Sequence, residues 1–239
     1  MENRLYIDIL PQPNSTTCGP TCLHAIYRYF NDPISLPEVI SEVKVIEGGG
    51  TLAVYLANHA LRRGYKATIY TYNLQIFDPT WFTEDKPLIL KKLELQLQYK
   101  KDAPYLRAAT LAFIEYLELG GELKSVVLTA GIIRKFLKRS IPILTGLSAT
   151  YLYDCPRELA EGDVLIYDDI RGESTGHFVV LAGYDRNRQS VLVSDPLMPN
   201  PVSPSRQYEV NIYRLVCSIM LGILTYDCNL LIIQPARKK

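Results

Sequence analysis

Several features that would mark a special environment are missing from this chain. No apolar run is long enough to cross a bilayer. The longest, Leu215–Tyr226, falls well short of the about 20 residues a spanning helix needs and reads as core. The first ten residues, MENRLYIDIL, are charged and lack a secretory signal pattern. Neither sign of charge dominates. There are 26 Lys and Arg against 25 Asp and Glu, a net charge of +1, so nothing argues for a nucleic-acid partner. The closing ARKK reads as a short solvated tail. Cysteine is scarce, five in all, an odd number without paired spacing. That excludes a disulfide framework and predicts reduced thiols in a cytoplasmic setting. Cys18 and Cys22 lie four apart, but no second Cys/His pair completes a zinc site, so neither a metal nor a cofactor is expected. Tryptophan occurs once, at Trp81, where it anchors a loop.

What is present fits an ordinary globular protein. A chain of 239 residues with 48% hydrophobic and 21% charged residues can bury a real core. We expect a single domain over 1–239, with residues 74–128 as a helical insertion packed on the main body.

The chain is organised around residues 11–30, PQPNSTTCGPTCLHAIYRYF. The stretch begins as a turn, because Pro11, Pro13, Asn14, Ser15, Thr16 and Thr17 are loop formers or cap residues. It becomes a helix at Cys18, with Pro20 in the first turn, where a missing N–H costs nothing. From Cys22 onward it is apolar except for a strip at His24, Arg28 and Asn31, the mark of a buried helix. A cysteine therefore sits at the N-terminal tip of a buried helix. The unpaired N–H groups and positive dipole end there favour a thiolate. Gly19 is expected to leave room for a substrate to approach the sulfur. The Gln12 amide, six residues upstream, could join the Cys18 backbone N–H in holding an oxyanion.

Further elements follow in order. Residues 4–9 alternate as a short edge strand. Ser35 and Pro37 open a second helix, and a third runs from Thr51 to about Arg63. A flexible break at Gly48, Gly49 and Gly50 lies between them. His59 falls on the outer face of that third helix and is expected to be exposed. Residues 65–72 read as a strand. Helical runs follow at Pro87–Lys101 and Pro104–Leu119, stopped by Gly120 and Gly121. Thr129 caps a helix to about Arg139, and 141–147 is a buried strand. SATYLY and the Cys155–Gly162 loop come next, then a strand at 164–167. His177 opens the strand FVVLAGY, which turns at Asp185–Ser190 into VLVS and ends at Asp195-Pro196. If Gly183 faces Ser190, His177 faces Pro196 and neighbours Asp195. A helix from Tyr208 to about Met220 and a strand at 229–233 close the chain. Helices first and strands later give an α+β layout with an antiparallel sheet.

Together these pieces supply a nucleophile, Cys18, a base, His177, and an orienting carboxylate, Asp195, with Gln12 upstream. His24 is six residues along the same helix as Cys18, which turns it to the opposite face, and Cys22 reads as wall packing. Asp168, Asp169 and Asp185 are rivals to Asp195.

Three segments, PQPNSTTCGPTCL, IPILTGL before GHFVVLAGYD, and VLVSDP, resemble those of the bacteriocin-processing, double-glycine-leader cysteine peptidases and their stand-alone bacterial relatives. The resemblance covers roughly 9–70 and 129–235. It implies a papain-like fold, with Cys18 as nucleophile, Gln12 in the oxyanion hole, His177 as base and Asp195 as orienting acid; of the rival aspartates, only Asp195 matches. It implies hydrolysis of a peptide or small-protein amide through a thioester acyl-enzyme, in a Gly-Gly-like small-residue context. It is compatible with a biosynthetic or export partner encoded separately. The chain departs from transporter-linked members in having no membrane or nucleotide-binding domain and in carrying 74–128. Two other readings remain open: an acyl transferase like phytochelatin synthase, and a catalytically silent peptide-binding module.

Overall fold

The structure, a computed structural model, describes residues 3–46, 50–83, 86–161, 164–225 and 227–236. The expected break at Gly48 and Gly49 and the last three residues of the ARKK tail lie outside them. Among the described residues, no helix is long and apolar enough to cross a membrane.

The elements run β1 (Asn3–Arg4), α1 (Cys18–Tyr29), α2 (Leu36–Glu42), α3 (Ala53–Arg62), β2 (Tyr65–Thr71), α4 (Lys86–Tyr99), α5 (Pro104–Glu118), β3 (Glu122–Lys124) and α6 (Ala130–Leu137). Next come β4 (Ile143–Ser148), α7 (Ala149–Tyr153), β5 (Glu158–Glu161), β6 (Val164–Tyr167), β7 (Gly176–Asp185), β8 (Ser190–Ser194), β9 (Gln207–Asn211), α8 (Ile212–Leu221) and β10 (Asn229–Pro235). The main sheet has the order β3-β2-β10-β4-β7-β8-β9, with β1 pairing to β7. Every ladder in it is antiparallel except β2–β3. This is the expected α+β architecture.

α1 is central because its sequence is apolar nearly all round. Every residue from Cys18 to Tyr27 is buried. α1 packs on β7 and β4 on one side and on α2 and α3 on the other. β7 is a near-continuous apolar run, and all of Val179–Ala182 is inaccessible to solvent. Each such Val or Leu contributes about 1.5–3 kcal/mol by leaving water. α2 starts where its sequence says it should: Ser35 and Glu38 form a reciprocal capping box, with Pro37 in the first turn.

Within residues 74–128, Phe113 of α5 meets Phe77 edge-on at 4.8 Å, and the segment holds to β2 through Tyr116. The Tyr116 hydroxyl lies among Ile69 N–H, which donates to it, and the carbonyls of Ala67 and Glu122. Leu93 of α4 is fully buried.

Several expectations need correction. The strand over 4–9 shrinks to Asn3–Arg4, after which Leu5 N–H still reaches the sheet at Ala182 O and Ile7 O accepts from the Gln207 side chain. Residues 207–211, expected at the start of a helix, instead extend the sheet as β9, and the helix begins at Ile212 behind an Asn211 cap. The alternation of QYEVN, with Tyr208 buried and Glu209 exposed, suits a strand. β5 arises inside the stretch expected as a loop, through pairing with β6, while β3 and α7 form where no element was assigned, by pairing with β2 and behind a Ser148 cap. The β7–β8 register is also shifted. Gly183 faces Leu192 and Leu181 faces Val193, with a bulge between them.

His59 is not exposed. Its ring is 4% accessible and lies between the Tyr27 hydroxyl, 2.8 Å from Nδ1, and the Glu42 carboxylate, 2.9 Å from Nε2. The outer face of α3 is covered by α1 and α2, which a single-helix wheel does not reveal.

Candidate active site

Cys18 is the first residue of α1, and the loop before it is built to present it there. Asn14 Oδ1 accepts the Thr16 N–H and hydroxyl, an Asx turn. The Thr17 hydroxyl donates to Asn14 O, and the Thr21 hydroxyl donates back to Thr17 O at 2.7 Å. The Gln12 N–H donates to Pro196 O at 2.9 Å, which ties this loop to the residue after Asp195. The loop before Cys18 and the hairpin end are therefore held as one unit.

The Gln12 side chain is placed less simply. Its Nε2 donates to Asn14 O at 2.8 Å, and its Oε1 is buried without a protein partner. In this arrangement the amide serves its own loop.

Gly19 has a different role from the expected one. A Cβ there would lie 2.5 Å from Thr51 Cγ2 and 3.2 Å from the Phe178 ring. Its missing side chain lets the segment before α3 and β7 close against α1; it does not open a path to the sulfur.

His177 lies one residue into β7, paired with Leu147 of β4. It is 7% accessible. Its Nε2 donates to Asp195 Oδ1 at 2.8 Å, since a carboxylate only accepts. The Cys18 sulfur is close enough to the ring to act on its charge. Burial alone pulls His177 down, but the Asp195 carboxylate and the Cys18 sulfur outweigh it and hold the imidazole up at about 10.

Asp195 is wholly inaccessible and fully satisfied. Oδ1 also accepts the Leu197 N–H at 2.9 Å, and Oδ2 accepts the hydroxyls of Tyr153 and Tyr208, each at 2.8 Å. Burial pushes this carboxyl up, but His177 and the donors around it prevail and hold it below its usual value. Burial and the adjacent carboxylate push both tyrosines well up, so they remain donors.

These two tyrosines escape a reading of the sequence. Tyr153 ends α7 and Tyr208 lies in β9, so only the folded sheet brings them together. The seventeen tyrosines of the chain gave no local reason to single out these two.

The remaining candidates sort by geometry. The Cys22 thiol donates to Phe178 O at 3.2 Å, and burial, then Cys18 and Asp195, push it well up, so it stays a wall thiol. His24 is buried away from this cluster, and burial followed by Arg28 lowers it. Asp168 binds Arg171, and Asp185 accepts the Arg188 N–H at the turn end of the β7–β8 hairpin; neither is the carboxylate bonded to His177.

A cleft of about 560 Å³ opens over the pair, lined by Ser15, Thr16, Cys18, Thr51 and His177 among others. Among the described residues no group of three or more His, Cys, Asp or Glu could hold a metal ion.

Comparison with known proteins follows from this geometry. Residues 121–216 match the family described as Peptidase_C39 like family. No curated protein matches the chain. Among solved structures, a C39-like peptidase from Bacillus anthracis aligns over 100% of both chains at 14% identity with a TM-score of 0.50. A double glycine motif protease from an AMS/PCAT transporter, solved in complex with its leader peptide, aligns over 99% of this chain and 96% of that one, at 13% identity and a TM-score of 0.46. Identity this low speaks to fold alone. Residues 121–216, which include His177 and Asp195, are thus similar to the Peptidase_C39 like family, and the chain shares the fold of the C39-like peptidase from Bacillus anthracis.

Proposed function

We propose that Cys18 attacks a peptide carbonyl, with His177 as proton partner and Asp195 as the group that orients it. The observation that carries this reading is that the cleft brings the Cys18 sulfur at the tip of α1 together with His177, whose ring is hydrogen-bonded to the buried Asp195. An imidazole held up at about 10 is an imidazolium at neutral pH, ready to give its proton to a leaving amine. Attack forms a tetrahedral oxyanion. Its collapse gives a thioester as His177 protonates the leaving amine. His177 then takes a proton from water, and hydrolysis frees the acid and regenerates the thiolate pair.

The helix N-terminus supplies N–H donors for the oxyanion. In this reading the Gln12 amide joins them by turning from Asn14 O once substrate is bound. Replacing it with alanine should lower kcat by about 100-fold or more and leave KM nearly unchanged. The substrate is a peptide or small protein, cut next to small residues that fit beside Ser15 and Thr16. Residues 74–128 are an insertion within one peptidase domain, and its α5 sends Tyr105 to the cleft.

The test is turnover of a peptide library by the wild type and by Cys18→Ala. Wild type should cleave and the variant should not, with identical circular dichroism. Undiminished cleavage by the variant would end this reading. Product masses with added amines distinguish hydrolysis, which releases a free acid, from transfer, which releases an amide.

A further inference from the structure

One carboxylate in the cleft has no part in this mechanism. Asp227, just before β10, is 6% accessible and lines the same cavity as Cys18 and His177. Its position is built with care. Gly146 of β4 and Gly222 have no side chains where its Cβ and main chain press in, at 2.6 Å and 2.7 Å from where a Cβ would stand. Its Oδ1 accepts the Ala53 N–H at 2.9 Å. Burial pushes it up to about 7. An acid so placed is costly to ionise in an empty cleft, and a cation beside it reverses that.

The rest of the cavity has matching chemistry. Glu173 is the other carboxylate on its wall, and no lysine or arginine is among its described lining residues. Ile46, Leu224 and the Tyr105 ring add apolar surface. A wall of aliphatic and aromatic groups ending in a buried carboxylate suits one kind of side chain: a long apolar stem with a cationic head.

We propose that the cleft selects peptides carrying a lysine or arginine close to the scissile bond, read by Asp227 at the cleft wall and assisted by Glu173 at its rim. The stem lies along Ile46, Leu224 and Tyr105, and the head reaches Asp227. This rests on the peptidase reading and names its substrate class. It assigns Asp227 to specificity, leaving the chemistry with Cys18 and His177.

The probe is a set of matched peptides with lysine, norleucine or glutamate placed in turn at each position around the cleaved bond. Norleucine keeps the stem and removes the charge. At one position the wild type should favour lysine over norleucine by about tenfold or more in kcat/KM, and glutamate should be the poorest. In Asp227→Asn that ratio should fall below about 2; in Glu173→Gln it should drop only partly, as suits an exposed charge. A purely structural Asp227 would change overall rate and leave the ratio untouched. Should Asp227→Asn fail to fold, lysyl and norleucyl chloromethyl ketones on the wild type decide instead, since the lysyl reagent must label Cys18 about tenfold faster. Equal use of lysine and norleucine at every position overturns the proposal and leaves the peptidase standing. A library in which nothing is cut and Cys18 is never labelled overturns both.

Discussion

Replacing Asp195 with asparagine keeps the shape of the site and removes its charge. Asparagine Oδ1 can still accept from His177 Nε2, so the ring need not move. The consequence for the imidazole can be worked out. His177 stands at about 10 against an ordinary 6.5, a gap of about 3.5 pH units, or about 5 kcal/mol at about 1.4 kcal/mol per unit. Burial acts in the opposite sense, so the groups that raise it supply more than this gap. Asp195 leads them, ahead of Cys18. Losing the larger share must bring His177 down by at least about 2 pH units. The sign of the stability effect follows. In the wild type the contribution of His177 is fully present below 6.5 and is lost as pH rises through about 10; in the variant that loss moves to lower pH. Proton NMR of the imidazoles reads this directly, because the chain has only three histidines. Burial lowers both His24 and His59, so they titrate on the acid side and leave His177 alone on the basic side. Peptidase kcat/KM should drop by about a thousandfold or more alongside. An unchanged His177 titration in Asp195→Asn, or a wild-type ring titrating near 6.5, would refute the reasoning.

Three further outcomes follow from the same geometry. Tyr153→Phe and Tyr208→Phe each remove one donor from a buried carboxylate and should each cost about 1.5–3 kcal/mol in urea unfolding, with a double variant that departs from additivity because the two share Oδ2. Gly19→Ala places a methyl 2.5 Å from Thr51 Cγ2 and should destabilise by about 1–3 kcal/mol, which thermal melts will show. Asp227 is raised from 3.8 to about 7, so the stability it lends at acid pH is lost as pH rises through about 7; Asp227→Asn should flatten the stability profile between about pH 4 and 7.

The helix that begins at Cys18 was legible because its signals are local. Loop formers run to Thr17, a proline stands in the first turn, and apolar residues surround the axis. The nearness of His177 and Asp195 was legible for a looser reason. Both stand where a hairpin meets the same sheet end, and a slip of one or two residues in register does not separate them. What stayed hidden depends on contacts between distant segments. Tyr208 reads as helix until β8 offers it an edge. Tyr153 reads as a loop aromatic until Asp195 lies above it. His59 looks exposed until α2 delivers Glu42. Asp227 carries no motif at all, and only Gly146 and Gly222 make room for it. Gly19 shows the opposite case, a residue whose presence was foreseen and whose reason was not.

The central claim is that Cys18 is the reacting sulfur and that His177 activates it. The most direct measurement is intact-mass and peptide mapping after brief treatment with limiting iodoacetamide, with peptide turnover followed in parallel. Exposed Cys217 and partly exposed Cys155 serve as internal references for ordinary thiols. The account predicts that Cys18, although buried, is labelled first, that turnover is lost in step, and that His177→Ala abolishes this priority. Labelling of Cys217 and Cys155 ahead of Cys18, with turnover intact, would contradict it.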